Sequence, residues 1–151
     1  MASPQPDAPG ALRIRRTVPA PPHKVFRAWT DPEALALWFA PSDQYRTTVP
    51  ELDLTVGGRY RIEMRLGEKV FVVVGIYREI RPPEKVVFTW RWESEPDHGD
   101  AGETLVTVEL QGRGSGTDVT LTHERFGNEK AREEHAQGWA GCLDGLQRFL
   151  S

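Results

Sequence analysis

The polar side chain with the strongest claim to chemistry is His123. Along Asp118–Phe126, alternate positions place it on the same strand face as Val119 and Leu121, turned inward. An imidazole there could act as a general acid or base near neutral pH, or orient a ligand carbonyl or phenol. It could equally be a buried ring satisfied by a neighbour. His135, on a long helical stripe, carries the same two readings. The hydroxyls of Tyr60 and Tyr77 could meet the polar edge of a ligand, or sit at the rim of a packed core. Cys142 lies among Trp139, Leu143 and Leu146 with no adjacent basic residue to favour a thiolate, so it reads as a small hydrophobe. Asp97-His98-Gly99-Asp100 supplies too few spaced ligands for a metal. Gly112-Arg113-Gly114-Ser115-Gly116 lacks the lysine and hydroxyl pair of a phosphate loop and leads into a strand. No catalytic residue, metal or cofactor is expected.

Aromatic residues give the stronger signal. In the strand after Pro82-Pro83, Phe88, Trp90 and Trp92 share one face, with Thr89, Arg91 and Glu93 on the other. Without a nucleophile, metal cluster or phosphate loop beside them, they favour binding an apolar molecule over covalent chemistry. Trp29, Trp38, Phe39, Tyr60, Met64, Tyr77, Trp90, Trp92 and Trp139 are expected to ring an open cleft. Ile62, Phe71, Val73, Phe88, Val106, Val108, His123, His135 and Leu143 complete the candidate ligand-binding set. The competing reading is that these rings fill a core. A closed void of about 300 Å³ would cost about 7 kcal/mol, comparable to the stability of a whole domain. Any pocket is therefore open and hydrated, occupied, or partly collapsed around its rings.

Those residues need elements to hold them. Leu12–Val18 alternates as a half-buried strand. Pro21-Pro22 opens a short helix with Val25, Phe26 and Trp29 on one face. Asp31 caps a second helix that starts at Pro32, shows Leu35, Trp38 and Phe39 on one side and ends at Pro41. Strands are predicted at Glu51–Val56, Arg59–Leu66 and Lys69–Ile80. Within the last, Phe71, Val73, Gly75 and Tyr77 face inward. Ser94–Gly102 is expected to be a mobile connection. Thr104–Leu110 and Asp118–Phe126 are strands joined by a hairpin loop over 112–116. The chain closes on a helix over Glu129–Leu150, in which Gly138, Gly141 and Gly145 mark an edge where a strand or a bound molecule comes close to the backbone.

With 151 residues and a net charge of −3, the chain is expected to form one domain over residues 11–151 behind a disordered tail, residues 1–10. The charge argues against nucleic-acid or anionic-membrane partners, and no apolar run is long enough to span a bilayer. One cysteine and the absence of a signal-peptide pattern point to the cytoplasm. The strand face Val72, Val74 and Ile76, taken as exposed, makes a homodimer a further expectation.

The order of elements, together with Thr30–Glu33 and Trp38-Phe39, Gly57–Tyr60, Gly75–Tyr77, Pro82–Glu84 through Phe88–Trp90, Thr120–His123, and Gly138-Trp139 with Leu143, resembles the START-like superfamily (SRPBCC). Within it the chain is most similar to the activator of heat-shock protein 90 ATPase homologue family, over about Leu12 to Leu150. The resemblance implies an α+β helix-grip fold, with a curved antiparallel sheet around a long C-terminal helix and two short helices after the first strand. It also implies a pocket between the sheet and that helix. Co-chaperones of this name carry a separate N-terminal domain where this chain has a short tail, so a chaperone partner is expected least. The leading expectation is a binder of a small hydrophobic, aromatic or lipid-like, molecule. The alternatives are a cyclase- or dehydratase-type enzyme using His123 and a co-chaperone-like interaction module.

Overall fold

The computed structural model describes residues 10–93 and 102–151. The expected tail, up to residue 9, lies outside them. So do residues 94–101, which include most of the expected mobile connection and the Asp97–Asp100 cluster.

Seven strands form one antiparallel sheet: β1 (Leu12–Val18), β2 (Arg46–Leu52), β3 (Arg59–Leu66), β4 (Lys69–Arg81), β5 (Lys85–Trp92), β6 (Thr104–Arg113) and β7 (Gly116–Glu124). Their order is β1-β7-β6-β5-β4-β3-β2. The first two strands in sequence thus lie at opposite edges. The chain crosses between them through α1 (Pro22–Thr30) and α2 (Pro32–Trp38). The long helix α3 (Glu129–Leu150) packs on the concave face, giving the helix-grip arrangement.

Local chemistry explains the helix starts. Asp31 accepts a hydrogen bond from the Glu33 N–H at 2.9 Å, with Pro32 at the first helical position. Asn128 accepts from the Ala131 N–H at 2.8 Å and caps α3. Alternation explains β3, where Tyr60, Ile62 and Met64 are buried and Arg59 and Arg65 are exposed.

Three expectations need correction. The strand expected over Glu51–Val56 is β2, Arg46–Leu52, and residues 53–58 form the turn into β3. Pro50 lies within β2, which is an edge strand with a register shift between Thr48 and Glu51. An edge or a bulge tolerates the missing N–H. The 112–116 segment is the expected hairpin loop but shorter: β6 and β7 pair as far as Arg113 and Gly116, and Gly114 turns the chain with φ +60°. Finally, the face carrying Val72, Val74 and Ile76 is not exposed. Val72 is buried, and Val74 and Ile76 are half-buried. On that face Val72 is flanked by Glu63, and Val74 by Arg61 and Arg91. Arg61 bridges Glu63 and Glu93 at 2.8 and 2.9 Å, so long charged side chains lie over the valines. The exposed large hydrophobics among the described residues are elsewhere: Leu37, Leu54, Val56 and Phe149.

Candidate functional site

The placement of α3 creates the site. Two of its glycines are contact points with the segment that leaves α2. A Cβ on Gly141 would lie 1.9 Å from the Pro41 carbonyl oxygen, and one on Gly145 would lie 2.9 Å from that of Trp38. The partner at Gly141 and Gly145 is thus neither a strand nor a ligand but the Trp38–Pro41 backbone. Arg16 and Asp144 pair at 3.4 Å, and Gln147 donates to the Thr17 carbonyl at 3.0 Å, tying the same end of the helix to β1. The helix is held closest to β1 and α2. Its middle, around His135–Cys142, is separated from β3–β5 by side chains alone.

Those side chains include a continuous chain of indoles. Trp38 meets Trp29 at 4.8 Å between ring centroids, Trp29 meets Trp139 at 6.2 Å, Trp139 meets Trp90 at 4.9 Å, and Trp90 meets Trp92 at 5.6 Å. All five tryptophans of the sequence take part. At the Trp38–Trp29 end the rings are packed. The Trp38 N–H donates to the Ala28 carbonyl at 2.9 Å. The neighbouring recess, bounded by Trp29, Tyr60, Ile62, Tyr77 and Phe88, measures about 20 Å³, room for about one water. At the Trp90–Trp92 end the rings, still in contact with one another, border a cleft of about 330 Å³. Phe39, Pro41 and Tyr45 close one end of it, Met64, Phe71, Trp90 and Trp92 form the sheet side, and His135, Gly138, Trp139 and Cys142 form the helix side. Glu134 and Gln137 are exposed at its rim, so the cleft opens to solvent.

The two buried histidines are committed to this wall. His123 Nδ1 accepts from the Trp139 indole N–H at 2.9 Å, so the neutral ring carries its proton on Nε2. That proton points at Thr104 Oγ1, 2.6 Å away, and the Thr104 hydroxyl donates onward to the Trp90 carbonyl at 3.0 Å. Burial, together with the nearby His135 ring, holds the His123 pKa well below its ordinary value of 6.5. His135 has the opposite tautomer. Its Nδ1–H faces the Ala131 carbonyl at 2.7 Å, and its Nε2 accepts from the Trp92 N–H at 2.9 Å. Both rings orient tryptophans. His123 is fully buried behind Trp90 and Trp139 and does not line the cleft, so it has no reach for proton transfer to a molecule bound there.

The tyrosines are also engaged. The Tyr60 hydroxyl donates to the Thr89 carbonyl at 2.5 Å, passing over Gly75, where a Cβ would lie 2.7 Å from the phenol oxygen. Burial pushes the pKa of Tyr60, and that of Tyr77, above the usual phenol value. Burial likewise raises that of the Cys142 thiol, which presents a protonated, apolar surface to the cleft. Two buried indole N–H groups, Trp29 Nε1 and Trp90 Nε1, have no hydrogen-bond partner among the described residues.

Of the candidate ligand-binding residues, the structure brings Phe39, Met64, Phe71, Trp90, Trp92, His135 and Trp139 together around the cleft. Trp29, Tyr60, Ile62, Tyr77 and Phe88 surround the nearly filled recess. Val73, Val106, Val108, His123 and Leu143 are fully buried in the core, and Trp38 packs against Trp29 and Phe39. Sequence reasoning left out Pro41, Tyr45, Glu134, Gln137 and Cys142 as lining residues, and flagged Gly138 only as one of three glycines near a strand or a bound molecule. Gly138 was open to detection. A helix-interior glycine costs about 1 kcal/mol relative to alanine, and here, unlike at Gly141 and Gly145, no described atom beyond its chain neighbours and its own helix backbone lies within 4 Å of where its Cβ would be.

No group of three or more histidine, cysteine, aspartate or glutamate side chains suited to a metal ion occurs among the described residues. No helix among them is long and apolar enough to cross a membrane.

Comparison with known proteins bears on this geometry. The family model described as Activator of Hsp90 ATPase homolog 1-like protein matches residues 19–151. No curated protein matches the chain. Among solved structures, a Chromobacterium violaceum protein is 29% identical with a TM-score of 0.83, the match covering 95% of this chain and 98% of that one. CalU16 from Micromonospora echinospora is 27% identical with a TM-score of 0.68, over 93% of this chain and 76% of its own. A Rhizobium leguminosarum protein is 25% identical with a TM-score of 0.76, over 93% of each chain.

Proposed function

This chain belongs to the family described as Activator of Hsp90 ATPase homolog 1-like protein, and on that premise we propose that it binds a small hydrophobic molecule, aromatic or lipid-like, in the cleft between α3 and the sheet. The START-like fold it shares with its structural neighbours is commonly a ligand-binding one. The observation that carries the reading is the open, ring-walled cleft of about 330 Å³, which falls within the range of about 300–1,000 Å³ usual for small-molecule sites. The enzyme alternative is weaker, because both nitrogens of its proton-transfer candidate, His123, are taken by Trp139 and Thr104. We place the protein in the cytoplasm, where its single cysteine stays reduced.

Trp90, Trp92 and Trp139 line the cleft, so an occupant touches the protein's own fluorophores. Titration with a library of apolar compounds is expected to give a saturable change in tryptophan emission. Native mass spectrometry of freshly purified protein should show a co-purified mass. Flat titrations across the whole library, with a bare polypeptide mass, would defeat the reading.

A further inference from the structure

Resting on the cleft reading, we infer that the ligand is an uncharged, flat ring system, and that Gly138 sets its size by leaving the α3 backbone bare where that ring lies. Two independent observations lead there.

The first is charge. No lysine or arginine lines the cleft among the described residues, and its one charged side chain, Glu134, is exposed at the mouth. A carboxylate or sulfonate entering between the rings would lose its water and find no cation in return. That separates the two chemistries left open above, since a fatty acid brings such a group and a neutral aromatic does not. The side-chain N–H groups of Trp92 and Trp139 are held by His135 and His123, so the rings are fixed in orientation. What they offer an occupant is aromatic surface, suited to offset or edge-on contact with another ring.

The second is space. Gly141 and Gly145 are demanded by the protein itself, because the backbone of Trp38–Pro41 fills the place of their side chains. Gly138 has no such neighbour among the described residues and lines the cleft. A side chain there would project into the hollow opposite the sheet. Packing among the described residues does not account for a helix-weakening glycine at this position, whereas room for a ligand does.

The test uses two dyes on one scaffold, neutral N-phenyl-1-naphthylamine and its sulfonated relative 8-anilinonaphthalene-1-sulfonate, with dodecanoate as a third probe. The wild-type protein is expected to bind the neutral dye saturably and at least about tenfold more tightly than either anion. Gly138→Leu should weaken the neutral dye by about tenfold or more, and Gly138→Ala by a smaller factor. Both variants should melt at or above the wild-type temperature, because either residue favours a helix over glycine. Unchanged affinity for the neutral dye in both variants would overturn the role of Gly138 and leave the cleft standing. Equal or tighter binding of the anions would overturn the ligand class alone. A wild-type protein that binds none of the three would take the proposed function down with the inference.

Discussion

Replacing Thr104 with valine, which is nearly the same shape, removes one hydroxyl from the relay joining Trp139, His123, Thr104 and Trp90. In the folded protein that hydroxyl receives the His123 Nε2 proton at 2.6 Å and donates to the Trp90 carbonyl at 3.0 Å. Thr104 is 3% exposed and His123 is inaccessible, so no water replaces the lost partner. A buried donor left unpaired costs about 1–3 kcal/mol, which puts Thr104→Val at about 2 kcal/mol. For a chain of this length that corresponds to a melting temperature lower by about 4–8 °C. The assay is urea unfolding followed by tryptophan emission, run as a double-mutant cycle with His123→Leu. In the leucine background no imidazole proton is left to orphan. The threonine change then forfeits only its bond to Trp90, about 1 kcal/mol. The cycle should therefore show a coupling of about 1 kcal/mol. A cost for Thr104→Val below about 0.5 kcal/mol, or changes additive within about 0.3–0.5 kcal/mol, would refute the relay and the tautomer drawn from it.

The same ring makes stability depend on pH. Its folded pKa lies well below 6.5, so the unfolded chain takes up a proton the native state refuses. Stability should hold above about pH 6.5 and fall as the pH drops below it, at up to about 1.4 kcal/mol per pH unit from this group. His123→Leu should flatten the curve between about pH 6.5 and 5, and an unaltered slope would show that another group is responsible. The helix glycines should separate by role. Gly141→Ala drives a methyl into the Pro41 carbonyl and is expected to cost about 3 kcal/mol. Gly138→Ala should be neutral, or stabilising by up to about 1 kcal/mol. Matched unfolding curves for the two variants would contradict the placement of α3 against the end of α2.

Much of the architecture was readable from the order of residues, because the signals are local. Period-two alternation in Arg59–Leu66 and Asp118–His123, proline and aspartate at the start of α2, and the wide stripe of Glu129–Leu150 mark strands and helices within a few neighbours of each residue. Strand parity also turned His123 inward. The edge strand β2 begins earlier than the expected Glu51–Val56, and it contains Pro50, which is acceptable only at an edge or a bulge that no local pattern identifies. Tertiary packing decided the rest. Gly138, Gly141 and Gly145 look alike along the helix, yet two lie against the Trp38–Pro41 backbone and one lies beside a hollow. Five similar indoles divide between a nearly filled recess beside Trp29 and an open cleft lined by Trp90, Trp92 and Trp139, a division that their types and spacing do not carry. Which nitrogen of His123 carries the proton depends on Trp139 and Thr104, which reach it from a separate helix and a separate strand. Periodicity gives each element its faces, but the distance between two faces is set by contacts remote in sequence. A cleft consists of that distance.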